Sequence, residues 1–318
     1  TNWSAATWAL ALGMAFAGGF VNWYAKVRAG HTRSVNVVEL LGEMVVSGVV
    51  GLGSYMGKAA SVVDQIGSIE MQAVTSRFAP MGRVDASTDR RWIYPSDWDL
   101  PQLADKFDQL RTINDPKSIW ATNAAHAINR KKDTLILNSF FADAKTGESG
   151  GTTTSFTAGN VIGVNTGGTD SKLNVAKLRA GLLILQQNEV DPDEQVYVAG
   201  AAQDHDALLN EIQVINKDYN LGAVIVKGKI QEVLGIQFVW SELVTSLLSG
   251  TDDQSGSSAA LPMWVPSGMH FGTWAEGTTT AVTQREDLQG RPYQIYSTLT
   301  AGATRVDEKK VVKIWSQR

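Results

Sequence analysis

The chain has 318 residues, 43% hydrophobic and 19% charged, enough for two domains or one elaborated domain with an adequate core. It contains no cysteine, which excludes disulfides, thiolate metal sites and a cysteine nucleophile. The net charge of −4 conceals segregation: residues 191–284 carry three basic and twelve acidic side chains, and residues 285–318 carry seven basic and four acidic.

A lobe as acidic as 191–284 is a poor nucleic-acid surface, because phosphate affinity comes from clustered Lys and Arg. It suits solubility or docking against a basic partner. In chain order, residues 5–24 are nearly all apolar or small, and residues 45–55 form a second uncharged stretch rich in Gly and Val. Lys26, Arg28, His31 and Arg33 lie between them. About 20 apolar residues can cross a bilayer, so the pair reads as a membrane hairpin with a basic loop. It resembles the front half of a small phage holin, a membrane protein of lysis. Gly13, Gly18 and Gly19 weaken the first span, and the second is too short for one. The other reading is an apolar arm that packs on neighbouring subunits.

Residues 67–95, GSIEMQAVTSRFAPMGRVDASTDRRWIYP, alternate polar and apolar side chains around the turn Ala79-Pro80-Met81-Gly82. Period-two alternation puts Ile69, Met71 and Ala73 on one face of a β-hairpin and Glu70 and Gln72 on the other. A lone two-stranded ribbon is marginal in water, so the rest of the chain or a neighbouring copy must cover it. After Asp97-Trp98-Asp99-Leu100-Pro101, the spacing of Leu103, Phe107 and Leu110 predicts a short amphipathic helix over 102–111. Asp115-Pro116 is an N-cap followed by a first helical residue. The helix it opens runs to about Phe141, with Trp120, Ala124, Ile128 and Leu135 at helical spacing. Arg130-Lys131-Lys132 sit within it and point three ways, as a solvated or subunit-facing patch.

Residues 145–170 are rich in Gly and Thr and read as a long flexible loop. Ser171 caps a helix carrying Val175, Leu178, Leu182 and Leu185 inward. A strand follows over 195–199, a helix over 204–215, and strands over 223–226 and 236–240. Residues 252–258 form a polar loop, and strands near 293–299 and 311–315 close the chain.

Chemistry finds no foothold. The four histidines (His31, His126, His205, His270) lack metal-ligand spacing. Asp204-His205-Asp206 diverge by about 100° per residue on a helix and mark its N-terminus instead. The Gly-rich stretch lacks a phosphate-binding Gly-Lys-Ser/Thr, and no Gly-x-Ser-x-Gly elbow occurs. Asp252-Asp253 lie in a hydrophilic segment, away from the burial that tunes a catalytic carboxylate. No enzyme activity, cofactor or metal is expected.

The segments VVDQIGSIEMQAVTSRFAP, WIYPSDWDLPQLADKFDQLRTINDPKSIWATNAAHAINRKKDTLIL, GKIQEVLGIQFVWSELV and QREDLQGRPYQIYSTLTAGATRVDEKKVVKIW, in that order, resemble the major capsid proteins of tailed bacteriophages. The resemblance runs from about residue 58 to the C-terminus. It implies an α+β fold of the Hong Kong ninety-seven type: an N-terminal arm (1–57, here atypically apolar), an extended loop (58–95), a peripheral domain with a long spine helix (96–190 and 285–318), and an axial domain (191–284). The implied function is self-assembly into an icosahedral head shell, with a holin-like lysis protein as the alternative resting on residues 1–57. The implied partners are further copies of the chain, in hexamers and pentamers, with scaffold, portal and decoration proteins as further candidates. Packaged DNA is expected to make only weak, nonspecific contact, and a membrane is not an expected partner. The expected location is the virion, after assembly in the bacterial host cytoplasm. Some relatives cross-link through Lys and Asn; Lys58 lies near the loop base, but no motif supports a bond there. The expected subunit-interface residues are Arg77, Arg83, Arg90, Arg91 and Trp92 of the loop and Asp105, Asp108 and Asp115 flanking the spine. Arg90 and Arg91 are expected to meet those carboxylates on an adjoining subunit.

Overall fold

Turn chemistry and long-range pairing build the elements, described in a computed structural model over residues 50–55, 61–67, 69–73, 76–77, 82–86, 88–104, 116–168, 171–211, 230, 232–252, 255–274 and 279–318. β1 (Gly51–Tyr55) lies in the uncharged stretch 45–55, so the end of that stretch is strand and not membrane span. β2 (Ser61–Ile66) and β3 (Thr88–Ile93) form the antiparallel ladder at the hairpin's base, from Ser61↔Ile93 to Ile66↔Thr88. β4 (Ser96–Ala104) takes in residues 97–101 and continues three residues into the segment expected to be a short helix. Pairing with a long partner strand overrides the helical spacing there. Residues 105–111 and Asp115 lie outside the described residues.

α1 (Pro116–Phe141) opens at Pro116 as expected. The Gly/Thr-rich stretch is not one flexible loop: it contains β5 (Ala144–Thr146), β6 (Thr152–Thr154), a 3-10 turn at Ala158–Asn160 and β7 (Val161–Ile162). Gly147 and Gly150, with φ of +88° and +73°, turn the β5–β6 hairpin in a region of backbone space open to glycine. α2 (Val175–Gln187) is capped by Asn174, whose side chain accepts from the Lys177 amide at 2.8 Å. Ser171, the expected cap, instead donates to the Val164 and Thr166 carbonyls.

β8 (Val196–Gly200) and α3 (Ala202–Leu209) follow. Residues 212–229, with the strand expected at 223–226, lie outside the described residues. Then come β9 (Glu232–Val233), β10 (Ile236–Trp240), α4 (Leu243–Leu247), β11 (Ser249–Asp252) and β12 (Ser255–Trp264). The expected polar loop 252–258 is thus the junction of two paired strands. β13 (Met269–Trp274), β14 (Thr280–Gln284), β15 (Tyr293–Arg305) and β16 (Val311–Gln317) complete the chain.

The strands form three sheets. In the first, β15 pairs with β13, β14 and β4, and β1 joins in parallel at β13. The second runs β7-β16-β12-β8-β10-β9, with β11 also on β12. The third, β2-β3-β5-β6, holds the base of the segment expected to be the extended loop. Strand 161–162 pairs with 311–317, which in turn pairs with 255–264, while 269–274 and 280–284 pair with 293–305, so sheet membership crosses the expected boundaries after 190 and 284.

The core lies where α1 meets the second sheet. Trp264 is wholly buried, 4.8 Å from the Phe140 ring and stacked on Tyr197. The deepest residues of α1 are Ile136, Leu137 and Phe140; Ala124 is also buried, and the expected Trp120, Ile128 and Leu135 are half-buried. Two buried charges are satisfied within the chain. Lys177 Nζ donates to the Ser171 and Trp315 carbonyls at 2.5 and 2.8 Å. Asp204 accepts from the Ala201 amide and the Ser316 hydroxyl and pairs with Arg318 at 2.9 Å. His205 turns away, its Nε2 accepting from the Ile230 amide, so the Asp204-His205-Asp206 triplet diverges as a helix N-terminus should.

Candidate subunit interface

The segment 58–95 is a ladder at its root, and among its described residues none is strand-paired between Ile66 and Thr88. Residues 69–73 carry no strand, so the expected alternation of Ile69, Met71 and Ala73 against Glu70 and Gln72 is not a pleated face: all five are exposed. The two arms still run side by side, since a Cβ at Gly82 would lie 2.7 Å from the Gln72 amide oxygen. The apolar surface is nonetheless there. Met71 is fully exposed, Ile66 is 74% exposed, and Ile69 and Val84 are open to solvent as well. Several large apolar side chains exposed on one segment are the mark of a contact surface.

The charged residues divide by strand face. Arg83 pairs with Asp85 at 2.7 Å and Arg90 with Asp64 at 2.9 Å across the ladder, both exposed. Exposed pairs of this kind contribute ~0–1 kcal/mol. Arg91 points the other way and is buried in its own chain. Its Nε donates to the Val306 carbonyl at 3.0 Å, and its Nη2 lies 3.5 Å from Glu308. Trp92 is also engaged internally, its indole N–H donating to the Gly147 carbonyl at 2.7 Å. A side chain at Gly150 would collide with the Trp92 ring and the Tyr94 hydroxyl. Arg90 and Arg91 therefore point to opposite sides of β3, as adjacent strand residues do. Arg77 is exposed, and Asp105, Asp108 and Asp115 lie outside the described residues.

The loop root is fastened at one corner, residues 305–308, that no local pattern in the sequence announces. The Val306 carbonyl accepts from Gln65 of β2 as well as from Arg91 of β3. Arg305, wholly buried, donates through Nη1 to the Phe140 and Ala142 carbonyls at the end of α1, at 2.6 and 2.9 Å. Its Nε donates to Glu308 at 2.5 Å. The only sequence signal is the i,i+3 spacing of Arg305 and Glu308.

On α1 the basic triplet splits as helical geometry requires. Arg130 is exposed, and Lys131 Nζ sits 3.3 Å from the Trp98 ring centroid. Burial holds the Lys132 amine below its usual range, partly offset by Asp133. The expected single patch is therefore three separate environments. Beside Trp98, which is 41% exposed, a cavity of about 190 Å³ opens between β4 and α1, lined by Leu100, Ile128 and Leu299. Among the described residues no cluster of three His, Asp or Glu side chains could hold a metal, and no helix is long and apolar enough to cross a membrane.

No curated protein matches the chain. Solved structures similar to it include several capsids. The capsid of cyanophage P-SCSP1u aligns with a TM-score of 0.65 at 10% identity, covering 85% of this chain and 87% of that one. The capsid of a native GTA particle aligns at 0.60 and 9% identity, covering 87% and 91%. Mycobacterium phage Che8 aligns at 0.53 and 16%, covering 80% and 84%. These likenesses establish the capsid fold. The family model described as phage capsid protein matches residues 45–317, so it takes in residues 45–57, which the sequence reading had grouped with the holin-like arm. With that match over most of its length, and with the same fold as these shells, the chain belongs to the phage capsid protein family and is a structural protein of the phage head.

Proposed function

We propose that copies of this chain close into an icosahedral shell of hexamers and pentamers by laying the 58–95 loop across an adjoining subunit. The observation that carries this is the exposure of Ile66, Ile69, Met71 and Val84 on a protruding segment of a chain whose core is otherwise well filled. Burying apolar area at a repeated contact stabilises each copy a little, and closure multiplies the gain. Arg77 and Arg83 set register at the rim, where charge selects the partner more than it tightens binding. Arg90 is held by Asp64, and Arg91 and Trp92 serve the loop root, so we remove the last two from the contact surface. The acceptor on the neighbour is the spine helix α1 with the Trp98 cavity as an apolar seat, and Asp105, Asp108 and Asp115, which precede the helix in sequence, are the candidate carboxylates.

Sheet membership favours drawing the axial domain around the second sheet (161–264 with 311–317) and the peripheral domain around the first sheet and α1. Assembly takes place in the host cytoplasm, with scaffold, portal and decoration proteins as candidate partners and only weak, salt-sensitive contact with DNA. The test is Ile69→Asp/Met71→Asp. Negative-stain microscopy is expected to show no shells from a variant whose circular dichroism and melting match the parent. Normal shells from that variant would overturn the proposal.

A further inference from the structure

We propose that the corner 305–308 is the pivot that fixes the direction of the extended loop against α1, with Glu308 as its positioning residue. The inference deepens the reading of 58–95 as the loop that meets a neighbour, and it rests on contacts made inside one subunit. Both strands of the loop root hydrogen-bond to one acceptor, the Val306 carbonyl: Gln65 from β2 and Arg91 from β3. The preceding residue, Arg305, binds the Phe140 and Ala142 carbonyls. These lie at the C-terminal end of α1, where carbonyls lack partners along the helix and the helix dipole favours a cation. Glu308 stands between the two guanidiniums, 2.5 Å from Arg305 Nε and 3.5 Å from Arg91 Nη2.

Both arginines are buried, so the shared carboxylate is what makes their burial tolerable. Removing that carboxylate would leave two desolvated guanidiniums without a counter-charge. β3 is held a second time by β5, through Arg91↔Thr146 and Trp92↔Lys145, and β5 follows α1 directly. The root and the end of α1 thus move as one body, and bending is confined to the loop beyond Ile66 and Thr88, where the ladder stops. The angle at which the loop leaves the subunit is then set by the corner and not by the loop's own weak ladder.

The test is hydrogen exchange on unassembled subunits, which reads the pivot whether or not shells form. Arg91→Met cuts only the β3 link to the corner, leaving Gln65 on the Val306 carbonyl and Arg305 with Glu308 as a neutral pair. Exchange over 61–66 and 88–93 should rise by about tenfold or more, while 135–141 at the end of α1 keeps the parent's protection. Glu308→Gln should raise exchange at both places, and Arg83→Ala, outside the corner, at neither. Unchanged exchange at the root in folded Arg91→Met, or equal loosening of root and helix end, would overturn the pivot. Should Arg91→Met not fold, Glu308→Gln decides by the same comparison: parental exchange at both sites overturns it. If the pivot holds but the Ile69/Met71 variant still builds shells, the intersubunit reading fails alone.

Discussion

β12 and the segment 66–84 both carry large apolar side chains, and their surroundings are opposite. Residues 258–265 at the end of β12 are buried without a break, edged by β16 and β8 and covered by Phe140 of α1 at Trp264 and by Gly181 of α2 at Met263. The loop's Ile66, Ile69, Met71 and Val84 have comparable hydrophobicity and stand in water. The difference lies in neighbours, not residue type. β12 is central in a six-strand path, whereas the loop root has sheet partners only up to Ile66–Thr88. One apolar set holds the subunit together; the other is free to hold subunits to each other.

The sharpest way to break that comparison is in the core. Trp264→Ala removes the ring against Phe140 and Tyr197 and should cost about 3–5 kcal/mol, measured as a lower denaturant midpoint in the unassembled subunit. The loop variant Ile69→Asp/Met71→Asp should by contrast shift that midpoint by less than about 0.5 kcal/mol, although it abolishes shells. A large loss of stability would show that the loop packs on its own subunit.

A smaller effect belongs to the edge strand β1, tied to β13 by Tyr55 and His270, whose hydroxyl and Nε2 are 2.6 Å apart. Tyr55 reaches across Gly272, where a Cβ would lie 2.5 Å from its ring. Burial holds the His270 imidazole below its ordinary value of 6.5, so the unfolded chain takes up the proton first. Its contribution is complete above pH 6.5 and is lost as the pH falls from there through the lower folded value. The melting temperature of His270→Gln should therefore fall less than the parent's between pH 7 and 5; parallel pH profiles would contradict this.

What the sequence made legible was whatever depends on local chemistry. Pro116 marked the start of α1 and Ile236–Trp240 stood out as an apolar strand, whereas of the hairpin expected over 67–95 the ladder holds Thr88–Ile93 alone. What escaped depends on partners far along the chain. β5 and β6 are three residues each, too short to show a period, and exist because β3 pairs with β5. β12 was hidden by a Ser/Gly-rich start and by Pro262, a residue that usually argues against a central strand. Residues 102–104 follow helical spacing yet lie in β4, because β15 supplies a nine-pair ladder that isolated propensity cannot anticipate. The opposed directions of Arg90 and Arg91 were legible from period two alone; their grouping as one patch overlooked it. The 305–308 corner joins residues more than 160 positions apart, and no local pattern encodes it.

The most direct test is the oxidation rate of Met71 by dilute peroxide, followed by mass spectrometry in unassembled subunits and in shells, since methionine oxidation follows exposure. Fully exposed in the lone subunit, Met71 should oxidise quickly there and far more slowly once shells have formed. Equal rates in the two states would mean that no neighbour covers it.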